Sequence, residues 1–294
     1  MEEKYILTNE TENFNNHILH RIKALKDFGD VKKGDLGGWV ENESNLSHKG
    51  NCWVYDDAVV YSEAKVMGNA KVFDGVEIAT HSSVMGDAEV HGWATVKNYS
   101  IVQGNAKVFD GVEIATHSSV KGDAEIRGDV WLDEYSTVQG HAKVTGKYRG
   151  VLTLRKALIE NYAEVSGDAT ISMHIRDNAK VDCWDCVMLG GGIICGNARL
   201  KGIINIKNYV SIWGNAILDC RVMYLEGYIS IEDNAKIQGD HIDIVSETNQ
   251  KIKIDGDAEI QGNFNICGSY SSNHINSYTV LKNPSKSKLN ITWR

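Results

Sequence analysis

Residues 66–101 read VMGNAKVFDGVEIATHSSVMGDAEVHGWATVKNYSI and divide into six-residue units opening on Val66, Val72, Ile78, Val84, Val90 and Val96. The frame runs unbroken to Val144, fourteen units in all, and the first residue is Val, Ile or Leu throughout. The fifth residue is Ala, Ser or Val in every unit but the last. One aliphatic and one small residue every six is the signature of a β-helix, whose short strands stack so that each unit shares its core with its neighbours. The large side chain fills the interior of a narrow coil. The small one points inward beside a corner, where only a methyl or hydroxyl fits.

A longer period lies on top of the first. GNAKVFDGVEIATHSSV occurs at 68–84 and again, identically, at 104–120, an offset of 36 residues or six units. Gly-Asn-Ala or Gly-Asp-Ala corners end at Ala70, Ala88, Ala106 and Ala124, one every 18 residues. Three units therefore close one coil of triangular section. With a few slips the frame extends back to His48 and forward to about Tyr270, giving thirty-six units, or twelve coils. Only His48, Thr153 and Tyr224 then break the aliphatic rule at the first position. The expected fold is all-β: an N-terminal cap over 1–47, a parallel β-helix over 48–270, and a C-terminal cap over 271–294. Within the first cap, YILTN fits a strand and HILHRIKALKDF a short strand or a helix. Trp39 is expected to close the end of the core.

Composition excludes several classes. Lys and Arg number 31 against 39 Asp and Glu, a net charge of −8, where a nucleic-acid binder would carry a basic stripe. No apolar run approaches the length that spans a bilayer, so no membrane partner is expected. The N-terminus, MEEKYILTNETENFNN, lacks the charged-then-apolar pattern of a secretory signal. Six irregularly spaced cysteines suggest reduced thiols and a cytoplasmic location.

The three edges of the coil carry different residues. The first stacks Asn51, Asn69, Asp87, Asn105, Asp123 and His141. Asn and Asp suit tight turns, and so neutral a row reads as a corner ladder rather than a line of cation ligands. Beside it Lys71, Glu89, Lys107, Glu125 and Lys143 alternate in charge, which suggests ion pairs between coils. The third edge stacks His81, Tyr99, His117 and Tyr135 above inward-facing Ser82, Ser100, Ser118 and Ser136. Rings one strand apart can stack, and histidine titrates near neutral pH. His81 and His117 are therefore candidate catalytic residues, acting as general base. Tyr99, Tyr135 and Trp93 are candidate ligand- or partner-binding residues. His117 lies within the copied segment, so duplication of a surface also accounts for it. Cys183 and Cys186 have the spacing of half a metal knuckle, but the frame puts Cys183 at a corner and Cys186 on a flat face, so no metal site is expected.

The repeat as a whole resembles the left-handed β-helix of the hexapeptide-repeat acyltransferases. The hand is implied by that resemblance; the general rule for parallel crossovers is right-handed. Residues 28–57, FGDVKKGDLGGWVENESNLSHKGNCWVYDD, are similar to the entry segment of the YdcK-like acetyltransferases. Chains of this pattern occur in phages and prophages. The resemblance implies a coenzyme A thioester as cosubstrate and a homotrimer. Against it, the superfamily's long projecting loop is missing, and the only proline, Pro284, lies beyond the last coil. The γ-carbonic anhydrases on this fold use three histidines, two of them 36 residues apart. His81 and His117 match that separation, but Gly122 stands where the third would be. Two expectations follow. One is a non-enzymatic interaction solenoid without a cofactor, phage- or prophage-borne, whose partner is a host protein. The other is an acyl-CoA-dependent acetyltransferase working through the His/Tyr edge.

Overall fold

The computed structural model describes residues 3–147, 150–188, 190–245, 252–255, 259–262, 264–267, 273–275, 280–281 and 289–292. The chain divides into two compact units, Met1–His141 and Ala142–Arg294. Both are parallel β-solenoids, and together they hold about ten turns, slightly fewer than the twelve counted from the sequence. The last expected corner (Asp257), the insertion at 246–250, Tyr270 and Pro284 lie outside the described residues.

In the first unit, strands 18 residues apart pair in parallel and in register. One face aligns Val54, Val72, Val90, Val108 and Ile126. The second aligns Val60, Ile78, Val96, Ile114 and Leu132. The third aligns Val66, Val84, Val102, Val120 and Val138. All fifteen are fully buried. Each contributes about 1.5 kcal/mol of burial, so stacking rather than a central core holds the solenoid together. Ser82, Ser100, Ser118 and Ser136 also point inward and are fully buried. Between Val54 and Thr137 the strands are joined by segments of two to four residues.

The N-terminal segment is strand, not helix. β1 (Tyr5–Phe14) and β2 (His17–Ala24) form an antiparallel hairpin around Asn15-Asn16, both with positive φ, the geometry of a tight hairpin turn. β3 (Leu36–Val40) pairs antiparallel with β2 and parallel with Val59-Val60. HILHRIKALKDF has usable helical spacing, but β3 offers its backbone a partner, and tertiary pairing overrides so weak a preference. Trp39 does not close the end of the core. It faces outward, beneath the hairpin, in a cluster with Leu19, Val59, Tyr61 and Ala79, with Phe14 packed against it. Val40 takes the inward place and is fully buried. β1 covers the open end instead. The Tyr5 hydroxyl donates to the Leu46 carbonyl at 2.7 Å, and buried Lys4 Nζ donates to the Cys52 carbonyl at 2.8 Å. Burial holds the Lys4 ammonium below its ordinary pKa. Leu46 also bridges Val66, so it fills the core position that six-residue counting assigned to His48.

In the second unit one face aligns Ile159, Ile175, Ile194, Ile212, Ile231 and Ile254. The other two exceptions to the aliphatic rule also resolve. Leu154, not Thr153, pairs with Ile171, and both Leu152 and Leu154 are fully buried. Met223 and Leu225 are buried while Tyr224 is exposed. Cys183 lies within the strand Lys180–Met188 rather than at a corner. Farther on, Asn273–Ile275, in the stretch expected to cap the coil, pairs in parallel with Ile252–Ile254.

Candidate functional site

The His/Tyr edge of the first unit forms as a stack of rings. Ring centroids are 4.8 Å apart for His81 and Tyr99, 5.1 Å for Tyr99 and His117, and 5.0 Å for His117 and Tyr135. Interplanar angles are 10° or less. The turn beneath each ring explains the alignment. Thr80-His81, Thr116-His117 and Glu134-Tyr135 each have positive φ at both residues. In each turn the next amide closes back: Ser82 N donates to Ala79 O at 3.2 Å, Ser118 N to Ala115 O at 3.1 Å, and Ser136 N to Asp133 O at 3.2 Å. Each ring-bearing amide also bonds the coil before it, as Tyr99 N does to Thr80 O at 3.0 Å. Backbone geometry thus sets ring spacing at the pitch of the sheet.

These rings are exposed, with Tyr99 at 52% and Tyr135 at 66%. His81 Nδ1 lies 3.7 Å from Glu63 of the preceding coil, which suits an orienting carboxylate. Flanking rings cover the faces of Tyr99 and His117, leaving ring edges to meet a partner. Trp93 is not part of this stack. It lines a separate groove, described below.

The first edge differs in detail from the expected corner ladder. Glycine, not Asn or Asp, takes the left-handed backbone there: φ is +72° at Gly68, +75° at Gly86, +81° at Gly104 and +71° at Gly122. The neighbouring side chains link coil to coil. Asn69 Nδ2 donates to Asp87 at 2.8 Å, Asn105 Nδ2 to Asp123 at 2.7 Å, and His141 Nδ1 lies 3.3 Å from Asp123. Of the alternating ion pairs, Lys107 reaches Glu89 at 3.9 Å, but Lys71 turns to Asp30 at 3.0 Å and Glu125 pairs with Arg127. Among the described residues no group of three or more His, Cys, Asp or Glu is arranged to hold a metal ion, and no helix is long and apolar enough to cross a membrane.

Two features escaped the sequence reading. The first is another ring stack: Tyr55 on Phe73 at 4.3 Å, Phe73 on His91 at 4.2 Å, and His91 on Phe109 at 5.2 Å, with Arg127 over Phe109. Its signal was present, one aromatic every 18 residues directly after an inward valine. The stack is half-buried and anchored at one end, where the Tyr55 hydroxyl donates to Asp30 at 2.8 Å. Burial and that carboxylate raise the Tyr55 pKa. The second feature is a groove of about 880 Å³. Val59, Glu77 and Thr95 line it from successive coils, Asp56, Asp57 and Asp74 from the adjoining turns, and Glu12 and Phe14 from the hairpin, with Trp39 and Trp93 also contributing. Glu77 accepts from the Tyr61 hydroxyl. Burial, with that bond second, pushes the Tyr61 pKa up to about 12.

Fold and edges together define a hexapeptide-repeat parallel β-solenoid. No family model matches the chain. Over 78 residues it is 37% identical to the uncharacterized acetyltransferase YdcK of Escherichia coli (strain K12), an alignment covering 24% of each protein. The chain thus spans about a quarter of the length of that curated relative. The solenoid and the matched stretch agree on a hexapeptide-repeat parallel β-helix fold.

Proposed function

We propose that the protein is an interaction solenoid whose His81/Tyr99/His117/Tyr135 edge binds another protein. The observation that carries this reading is the exposed, evenly spaced ring stack. Aromatic rings held rigid by backbone geometry lose little entropy when a partner covers them, which makes them efficient contact residues. Short connections on either side favour docking onto an edge over enclosure of a small substrate. A phage or prophage setting, a host protein as partner, a homotrimer and a cytoplasmic location accompany the proposal. The test is capture from a bacterial extract with wild type and with the fourfold alanine variant of the edge, melting temperatures being matched. A protein retained stoichiometrically by wild type and lost by the variant supports the reading. Equal retention by both removes the edge from consideration.

The similarity to YdcK favours a second reading, acyl transfer from a coenzyme A thioester with His81 as general base oriented by Glu63. Titration with acetyl-coenzyme A, followed by thermal shift, separates the two. A ligand at 100 times its dissociation constant stabilises by about 2.7 kcal/mol. Such a shift, lost in His81→Ala, turns the assignment toward the transferase.

A further inference from the structure

The groove beside Trp93 points to an occupant of its own. Five carboxylates line it and no lysine or arginine does. The contacts they make leave the charge in place. Asp74 accepts from the Gly92 amide at 2.9 Å, Asp56 from the Asp74 amide at 3.4 Å, and Glu77 from a tyrosine. Only Asp57 meets a cation, Arg21 at 3.6 Å. Each carboxylate retains unused acceptor capacity.

The aromatic component is equally specific. The Trp93 indole lies over Gly75, where a Cβ would come within 2.4 Å of the ring, and the side chain is 79% exposed. Thirty-six residues on, the equivalent pair is Gly111 and Asp129, so this indole platform belongs to one coil and is not a copied feature. The groove also shows in miniature what such a platform takes. Arg21 sits over the Trp39 ring at 5.1 Å while reaching Asp57, and both partners line the groove. Trp93 with Asp56 and Asp74 offers the same pair of elements, an indole face beside carboxylates, without an arginine of this chain.

We propose that the groove receives an arginine side chain from a basic segment of a partner protein. Its guanidinium stacks on Trp93 and pairs with the carboxylates of the adjoining turns. A planar, weakly hydrated fork suits that combination better than a compact ammonium. The site is distinct from the His/Tyr edge and stands whether or not that edge binds anything.

The test uses the full chain and three peptides, acetyl-Gly-Arg-Gly-amide and its lysine and citrulline counterparts. The readout is the indole N–H resonance of Trp93 in ¹H–¹⁵N spectra, assigned by its disappearance in Trp93→Ala. The arginine peptide should shift that resonance saturably below about 20 mM, a range that still detects contacts of a few kcal/mol. The lysine peptide should bind at least about fivefold more weakly, and citrulline, which keeps the shape without the charge, should not bind. Glu12→Gln with Asp56→Asn should weaken arginine binding at least threefold without lowering the melting temperature, and the alanine variant of the His/Tyr edge should bind as wild type. An unmoved Trp93 resonance, a citrulline response equal to arginine, or lysine binding as tightly as arginine would each overturn the proposal.

Discussion

Gly104→Ala tests the corner geometry on which the coil stack depends. Gly104 has φ +81°, and an added Cβ would lie 2.8 Å from the carbonyl oxygen of Gly122, 2.9 Å from its nitrogen and 3.1 Å from its Cα. Left-handed backbone costs an alanine about 1–2 kcal/mol. Relief of the contact requires neighbouring coils to separate locally by about half an ångström, against a strand spacing of about 4.8 Å. That stretches the bond from Asn105 N to Gly122 O, now 2.8 Å, and from Lys107 N to Ala124 O, now 2.9 Å, worth about 1 kcal/mol each. The expected total is about 3–4 kcal/mol. Gly34→Ala supplies the control, since Gly34 has φ +97° but nothing within 4 Å of the added Cβ, leaving only the conformational cost of about 1–2 kcal/mol. Solenoids open coil by coil, so native-state hydrogen exchange is a better assay than a single unfolding midpoint. Protection of Asn105 and Lys107 should fall at least a hundredfold in Gly104→Ala, while the amides around residue 34 lose about tenfold in Gly34→Ala. Equal losses in the two variants would show that dihedral preference alone, not the approach of successive corners, requires glycine.

Two further perturbations probe the core and the N-terminal segment. Val102→Asp places a carboxylate at a fully buried position between Val84 and Val120, costing several kcal/mol; exchange across 84–120 should become unprotected, and a variant as protected as wild type would contradict the register. Glu41 is held below the ordinary glutamate pKa, first by its hydrogen bond with His17 and also by one from the Ser62 amide. A depressed carboxylate stabilises the fold above its unfolded pKa, and that stability is lost as pH falls through the folded value. Melting temperature should therefore drop more steeply below about pH 4.5 in wild type than in Glu41→Gln, whereas parallel profiles would show that the contact contributes nothing.

The inward valines, the 18-residue coil and the three edges could be read from the sequence because each side chain's role repeats with its backbone position. Where reading failed, two local rules competed. In Leu152-Thr153-Leu154, six-residue counting selects threonine, but strand alternation puts both leucines inside, and burial of apolar surface decides for the leucines. Trp39 and Val40 are neighbours that point to opposite faces, and nothing local says which belongs in the coil; the hairpin that covers the indole is a long-range partner. The groove was illegible for the same reason. Glu12 and Trp93 share it only because β1 folds back beside the coils, a contact with no periodic trace.

The His/Tyr edge is a place where sequence and backbone preference disagree. A tight turn with positive φ at both central residues favours Asn-Gly or Asp-Gly. The chain instead uses Thr80-His81, Asn98-Tyr99, Thr116-His117 and Glu134-Tyr135, including two β-branched threonines in left-handed backbone. Elsewhere in the same unit such conformations are often given to glycine, as at Gly68, Gly86 and Gly104. Ring stacking returns about 0.5–1.5 kcal/mol per pair, comparable to the conformational cost and least where rings are wet. Duplication accounts for His81 and His117, which lie in identical copies. It accounts less simply for Tyr99 and Tyr135, which also correspond at an offset of 36 but stand where the preceding residues have diverged, Lys97-Asn98 against Asp133-Glu134. An exposed tyrosine kept within a drifting surface, on a turn that glycine would satisfy more cheaply, suits a contact made outside the fold.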